Sequence, residues 1–171
     1  MSNDCSIRGY NIPVVTPFGA KERKALTKAL LAEAAELGVE LSETRIKGLF
    51  KADESQDEFI IVEDGLLSIH FDFYGNGGYQ SDEATVFANA LDKFVTGPAW
   101  FTTVDHDMSP SSDEAVTFYS LGRNDAERDQ ARVLYGLSLA EEFWDRLGAD
   151  FAKNVREMAL QRLQSQAQEG A

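Results

Sequence analysis

The chain has 171 residues, 43% hydrophobic and 11% aromatic, with a single Cys and a formal net charge of −13. That apolar content excludes a disordered chain, and one Cys excludes an internal disulfide and the Cys-rich zinc patterns. No apolar run reaches the ~20 residues that span a bilayer, and Met1–Cys5 lacks the basic and apolar regions of a secretory leader, so a cytoplasmic protein without membrane contact is expected.

The length suits one domain, which at this size needs no disulfide or structural metal to fold. Residues 1–19 hold Pro13 and Pro17 around Val14 and Val15, which reads as an extended arm or an edge strand, with Cys5 in a frayed end. Ala20 to Leu37 carries Leu26, Leu30, Ala34 and Leu37 at helical spacing, and Gly38 stops it. Residues 39–51 fit either a short helix after Ser42 or a strand. Ala52 to Gln56 is a polar linker. It divides an N-terminal arm and helix (1–51) from a core (52–148), with a C-terminal helix and tail at 149–171.

Asp64-Gly65 sits between two β-rich runs, the strongest short hairpin signal, because both turn positions need positive φ. A two-residue loop there pairs Val62 with Leu67, Ile60 with Ile69 and Phe59 with His70. One face then carries Ile60, Val62, Leu67, Ile69, Phe71 and Phe73 toward the core. The other carries Phe59, Ile61, Ser68, His70, Asp72 and Tyr74.

Ser81 is a natural N-cap, with Asp82 and Glu83 in the first turn of a helix striped by Phe87, Leu91 and Phe94 and ended by Gly97-Pro98. Trp100–Val104 and Val116–Tyr119 read as two more strands. A long helix follows from Asn124 or Asp125, lined by Val133, Leu137, Ala140, Trp144 and Leu147 and widened by Leu139 and Phe143. A last helix from about Asp150 carries Phe151, Val155, Met158 and Leu163, with a fraying tail from Gln164. The order predicts an α+β fold: an antiparallel or mixed sheet built from a ββαββα core with helices on one face, plus an N-terminal helix and a C-terminal helical extension.

Charge is distributed unevenly. Residues 51–122 hold Lys51 and Lys93 against fourteen carboxylates, while residues 1–50 are close to balanced at +1. Such a block repels phosphate and attracts basic partners or cations, so direct nucleic-acid binding through it is not expected. The leading expectation is a non-enzymatic interaction protein that requires no cofactor. Its acidic block would occupy a basic, nucleic-acid-binding surface of a partner, by the charge logic of phage and mobile-element anti-defence proteins. The expected contact residues are Asp53, Glu54, Asp57, Tyr74, Tyr79, Asp82 and Glu83, with Tyr74, Tyr79 or Phe59 as the apolar anchor. A monomer, or a homodimer through the C-terminal helices, is expected.

The alternative is a metal-dependent hydrolase or lyase. Both histidines stand beside carboxylates, in His70-Phe71-Asp72 and Asp105-His106-Asp107, and residues two apart on a strand share a face. His70, Asp72, His106 and Asp107 could then hold a divalent metal, with Asp57 opposite Asp72 and Asp105 as a further candidate. Other signals are weak. Asp105-x-Asp107-x-Ser109 departs from a calcium loop at Pro110 and Val116. The Gly75–Gly78 turn lacks the third Gly of a dinucleotide fingerprint, and Asp82 and Glu83 oppose phosphate at the following helix. No Gly-x-Ser-x-Gly is present, and no acid/base pair can be assigned.

Overall fold

The computed structural model describes residues 3–75, 81–106, 116–144 and 149–169. Five strands form an antiparallel sheet: β1 (Asn3–Pro13), β2 (Phe59–Glu63), β3 (Leu66–Gly75), β4 (Ala99–Asp105) and β5 (Val116–Leu121). Their spatial order is β2-β3-β1-β4-β5. The helices are α1 (Ala20–Leu37), α2 (Glu43–Leu49), α3 (Asp82–Leu91), α4 (Asp125–Trp144) and α5 (Ala149–Glu169). The α+β class is as expected. Residues 39–51 resolve as α2, capped by Ser42 Oγ, which accepts the Arg45 N–H at 3.2 Å.

The N-terminal segment is the main departure. It is the central strand of the sheet and neither an arm nor an edge, pairing with β3 on one side and β4 on the other. Cys5 is only 6% exposed, so this end is packed. Proline causes no conflict because Pro13 is the last residue of the strand, where the ladder no longer needs its N–H.

A bulge makes the central position possible. Between Gly9 and Ile12 strand β1 gains one residue on β3, and Asn11 takes up the kink at φ 56°. Cys5 and Ile7 point to the core before the bulge, Ile12 and Val14 after it. Without the extra residue, one of the two sets would face the wrong way. At Gly9 a Cβ would lie 2.9 Å from both Phe101 Cβ and Ile12 Cδ1. Gly9→Ala is therefore expected to cost about 1–3 kcal/mol through overpacking, read as a lower urea midpoint at unchanged slope. A wild-type midpoint would mean that the strands can separate freely there.

The hairpin follows its expected register, with Phe59 opposite His70, Ile60 opposite Ile69 and Val62 opposite Leu67. Asp64 and Gly65 have φ of 50° and 79°, as the two-residue turn requires. Phe71 meets Phe87 of α3 at 4.8 Å between ring centroids on the core face, where Leu26, Leu30 and Ala34 of α1 are also buried. Gly38 ends α1 with φ 71°, and its N–H donates to Ala34 O.

Helix α3 ends at Leu91, short of Gly97-Pro98, and its C-cap is Asp92. It accepts the Gly122 N–H at 2.9 Å and Arg128 Nη2 at 2.7 Å, linking α3 to the start of α4. Helix α4 lies over the opposite face from α1–α3. Tyr135 stacks on Phe118 at 4.4 Å and meets Trp100 at 6.0 Å, and both partners alternate with core-facing Phe101 and Tyr119. The contact stripe of α4 thus runs through Ala131 and Tyr135, whereas Leu139, expected to widen it, is exposed. Helix α5 extends to Glu169, past the expected fraying point. The side chains of Phe143 and Trp144 lie outside the described part.

Helices α1 and α3 are tied by Glu33, which accepts Lys93 Nζ at 2.6 Å and Asn89 Nδ2 at 3.1 Å. The Lys93 hydrogen bond holds the Glu33 carboxyl below its ordinary pKa, against the opposing effect of burial. The stability gained is complete above the unfolded carboxylate value and is lost as pH falls through the depressed folded value. Glu33→Gln is expected to flatten the acid limb of stability measured by urea melts across pH. An acid limb identical to wild type would show that this tether adds nothing.

Candidate functional site

Antiparallel pairing places the start of β1, the end of β3, the start of β2, the end of β4 and the start of β5 at one end of the sheet. The N-terminus of α3 is bound there too: Ser81 N–H donates to Tyr119 Oη at 2.9 Å, and Ser81 Oγ caps Ala84 N–H. Burial pushes the Tyr119 hydroxyl pKa up, and the charges of Asp82 and Glu83 add to the rise. The block that is acidic in sequence is divided in space. Asp57, Glu58, Asp72, Asp82 and Glu83 lie with Asp4 of β1 at this end, where Asp105 is buried, while Glu63, Asp64 and Asp92 lie at the other.

A cavity of about 490 Å³ opens here. Its floor is Phe71, Phe73 and Phe87, and Asp4, Glu40, Asp72 and Glu83 are the acidic residues among its lining, with Asp72 turning its carboxylate toward His70 on the other face of the sheet. Among the described residues, Arg45 of α2 is the single cation that lines it. Its guanidinium lies 4.2 Å from the Phe71 ring centroid, and Nη2 donates to Asp72 O and to the Glu58 carboxylate. Glu58 in turn accepts the Asp72 N–H at 3.1 Å. This arginine is thus committed to holding the cleft together, beside four acidic lining residues.

Of the expected contact residues, Tyr74 lines the cleft and is 73% exposed. Glu83 lines it as well, and Asp82 stands beside it in the first turn of α3. Asp53, Glu54 and Asp57 are exposed on the loop leading into β2. The Ser55 hydroxyl and N–H hold the Asp53 carboxyl below its usual pKa, keeping it charged. Phe59 is 5% exposed and cannot serve as an anchor. Tyr79 lies outside the described residues.

Sequence reading missed Asp4, Glu40 and Arg45. Asp4 was hidden by the reading of its segment as an arm, although the alternation of Cys5, Ile7 and Gly9 with Asp4, Ser6 and Arg8 carries a strand signal. Arg45 and Glu40 had no local signal, because only the packing of α2 and its preceding loop brings them to β3.

The candidate metal ligands are brought together only in part. His70 Nε2 is 3.4 Å from Asp72 Oδ1, within ion-pair range. His106 lies two strands away, opposite Asp4, and its Nε2 is 2.9 Å from Ser6 Oγ. From sheet geometry the two histidine backbones are about 16 Å apart. Arg8 pairs with His70 across the ladder and donates to the same Ser6 hydroxyl, which puts a cation between them. Asp57 does not pair with Asp72: β2 begins at Phe59, and Glu58 takes the Asp72 N–H. Asp105 pairs with Cys5, so it faces away from His106. Asp107 lies outside the described residues, among which no cluster of three His, Cys, Asp or Glu donors is found.

Fold and site together define an α+β protein with a five-stranded antiparallel sheet and an acidic cleft at one sheet end. No protein-family model, curated protein or solved structure matches the chain. Among the described residues, no helix is long and apolar enough to cross a membrane.

Proposed function

We propose that this protein is a non-enzymatic interaction protein whose acidic sheet end occupies a basic surface of a partner, of the kind that otherwise holds nucleic acid. The observation that carries this reading is the cleft itself, with Asp4, Glu40, Asp72 and Glu83 among its lining residues and the internally bonded Arg45 the single cation among those described. Its acidic field speeds encounter with a cationic surface and repels phosphate. Tyr74, exposed at the cleft, is the apolar anchor that turns encounter into residence. An inhibitor that competes with nucleic acid for a basic cleft would work in this way, in the cytoplasm and with no cofactor. Exposed Phe151 and Met158 on α5 support a homodimer through the C-terminal helices as part of the same proposal.

The test uses an immobilised Arg/Lys-rich peptide as the basic surface and surface plasmon resonance at several salt concentrations. Association is expected to slow as salt rises, because exposed charges are screened over about 8 Å at physiological ionic strength. Replacing Asp53, Glu54, Asp82 and Glu83 together with Asn or Gln is expected to slow it about ten-fold or more while the melting temperature stays near wild type. Salt-independent binding that ignores all four substitutions would overturn the proposal.

A further inference from the structure

The acidic end is not the only charged feature. Helices α1 and α2 enclose an open groove of about 580 Å³ on the outer side of the helical layer. Its rim carries Arg23, Lys24 and Lys28 from α1 and Lys47 and Lys51 from the α2 side, with Glu43 the one acidic lining residue among those described. That carboxylate is already held by Lys47 at 2.6 Å. Among the described residues, no ion pair involves Lys24, Lys28 or Lys51. Thr27, Leu31 and Phe50 provide a mainly apolar floor, and Arg23 lies 5.8 Å from the Phe50 ring centroid. On a chain of net charge −13 this is a local inversion of sign.

We propose that this groove binds an acidic amphipathic helix of a partner protein. Charge complementarity selects an anionic occupant, and the distribution of charge selects its shape. The cations stand along both walls, from Ala20 to Leu31 on α1 and from Glu43 to Lys51 on the other side. A fatty carboxylate has one charged end and would leave most of them unused. A nucleic acid would use the cations but leave the apolar floor bare, since Phe50 is half-buried and flanked by Arg23. A helix with a Leu stripe between two rows of Glu or Asp meets both requirements, in the familiar helix-in-groove arrangement. The α1 wall is about 17 Å long, room for roughly three helical turns. The lysine stems extend the apolar floor while their ammonium groups remain at the rim.

The probe is a fluorescein-labelled synthetic peptide of roughly 18 residues, a helix with a Leu stripe flanked by Glu, followed by anisotropy. Its counterpart carries Gln at every Glu position and is uncharged there. The intact chain is expected to bind the Glu peptide at least ten-fold more tightly than the Gln peptide, against the sign of its own net charge. Lys24→Gln, Lys28→Gln and Lys51→Gln together are expected to weaken that binding at least ten-fold. The charge-matched control, Arg132→Gln, Lys153→Gln and Arg162→Gln, should leave it within about two-fold. Thermal melts are expected to show both variants folded, as these side chains are exposed.

Equal weakening by the two variants, or no preference for the Glu peptide, would overturn the proposal. So would tighter binding to phosphatidylserine vesicles or to a single-stranded oligonucleotide that only the groove variant abolishes, since the groove would then belong to lipid or nucleic acid. None of these outcomes depends on the acidic cleft, so the two proposals stand or fall separately.

Discussion

A chain lacking residues 1–13 is expected not to fold. Strand β1 lies between the β2–β3 and β4–β5 hairpins, so its removal leaves two separate hairpins, which are marginal structures in water. It also removes Ile7 and Ile12, among the most deeply buried side chains, each contributing about 1.5–3 kcal/mol by burial alone. With the paired backbone of nine positions on the β3 side lost as well, the total is comparable to the 5–15 kcal/mol that typically holds a domain together. Far-UV circular dichroism during a thermal ramp tests this directly. An N-terminal arm would be dispensable, so a truncated chain that melts cooperatively within a few degrees of full length would refute the central placement.

Phe101→Ala is expected to cost about 3–5 kcal/mol, the largest loss from any single truncation in this sheet. Phe101 is fully buried in β4, and its ring lies flat against Tyr119 at 5.0 Å with an interplanar angle of 9°. Its Cβ packs over the space left by Gly9 on the neighbouring strand. Removing the ring leaves a cavity flanked by two paired strands, which cannot collapse without breaking their register. It also deprives Tyr119 of the surface that positions its hydroxyl under the Ser81 N–H, so the start of α3 should loosen with it. Urea unfolding gives the magnitude, and amide exchange at Ser81 shows whether the loss reaches the acidic end. A cost below about 1 kcal/mol would show that the site collapses easily.

Much of the local structure was legible because its determinants are local. The Asp64-Gly65 turn, the stop at Gly38 and the Ser81 cap each depend on backbone preferences that a few neighbouring residues set. The alternation on either side of Asp64-Gly65 settled which side chains of the hairpin face the core. Asp82, Glu83 and Tyr74 could be named as surface residues for the same reason. The placement of β1 was not legible. Pro13 at its end and Pro17 just beyond resemble an edge, and the bulge at Asn11 breaks the alternation that would otherwise mark a buried strand.

The candidate sites divide along the same line. By itself the sequence determined the amount of charge and its concentration in residues 51–122, together with the elements on which those carboxylates ride. Only tertiary structure decided which of them share a surface. Chain order does not encode that Asp4 and Glu40 join Asp72 and Glu83, or that Arg45 reaches across to Phe71 and Glu58. Nor does it separate His106 from His70, which requires knowing that β1 runs between their strands. The basic groove is the clearest instance: residues 1–51 sum to only +2, yet packing α1 beside α2 sets five cations along one trough. The physical reason is that net charge adds along the chain without regard to direction, whereas a binding surface depends on which helix faces point the same way.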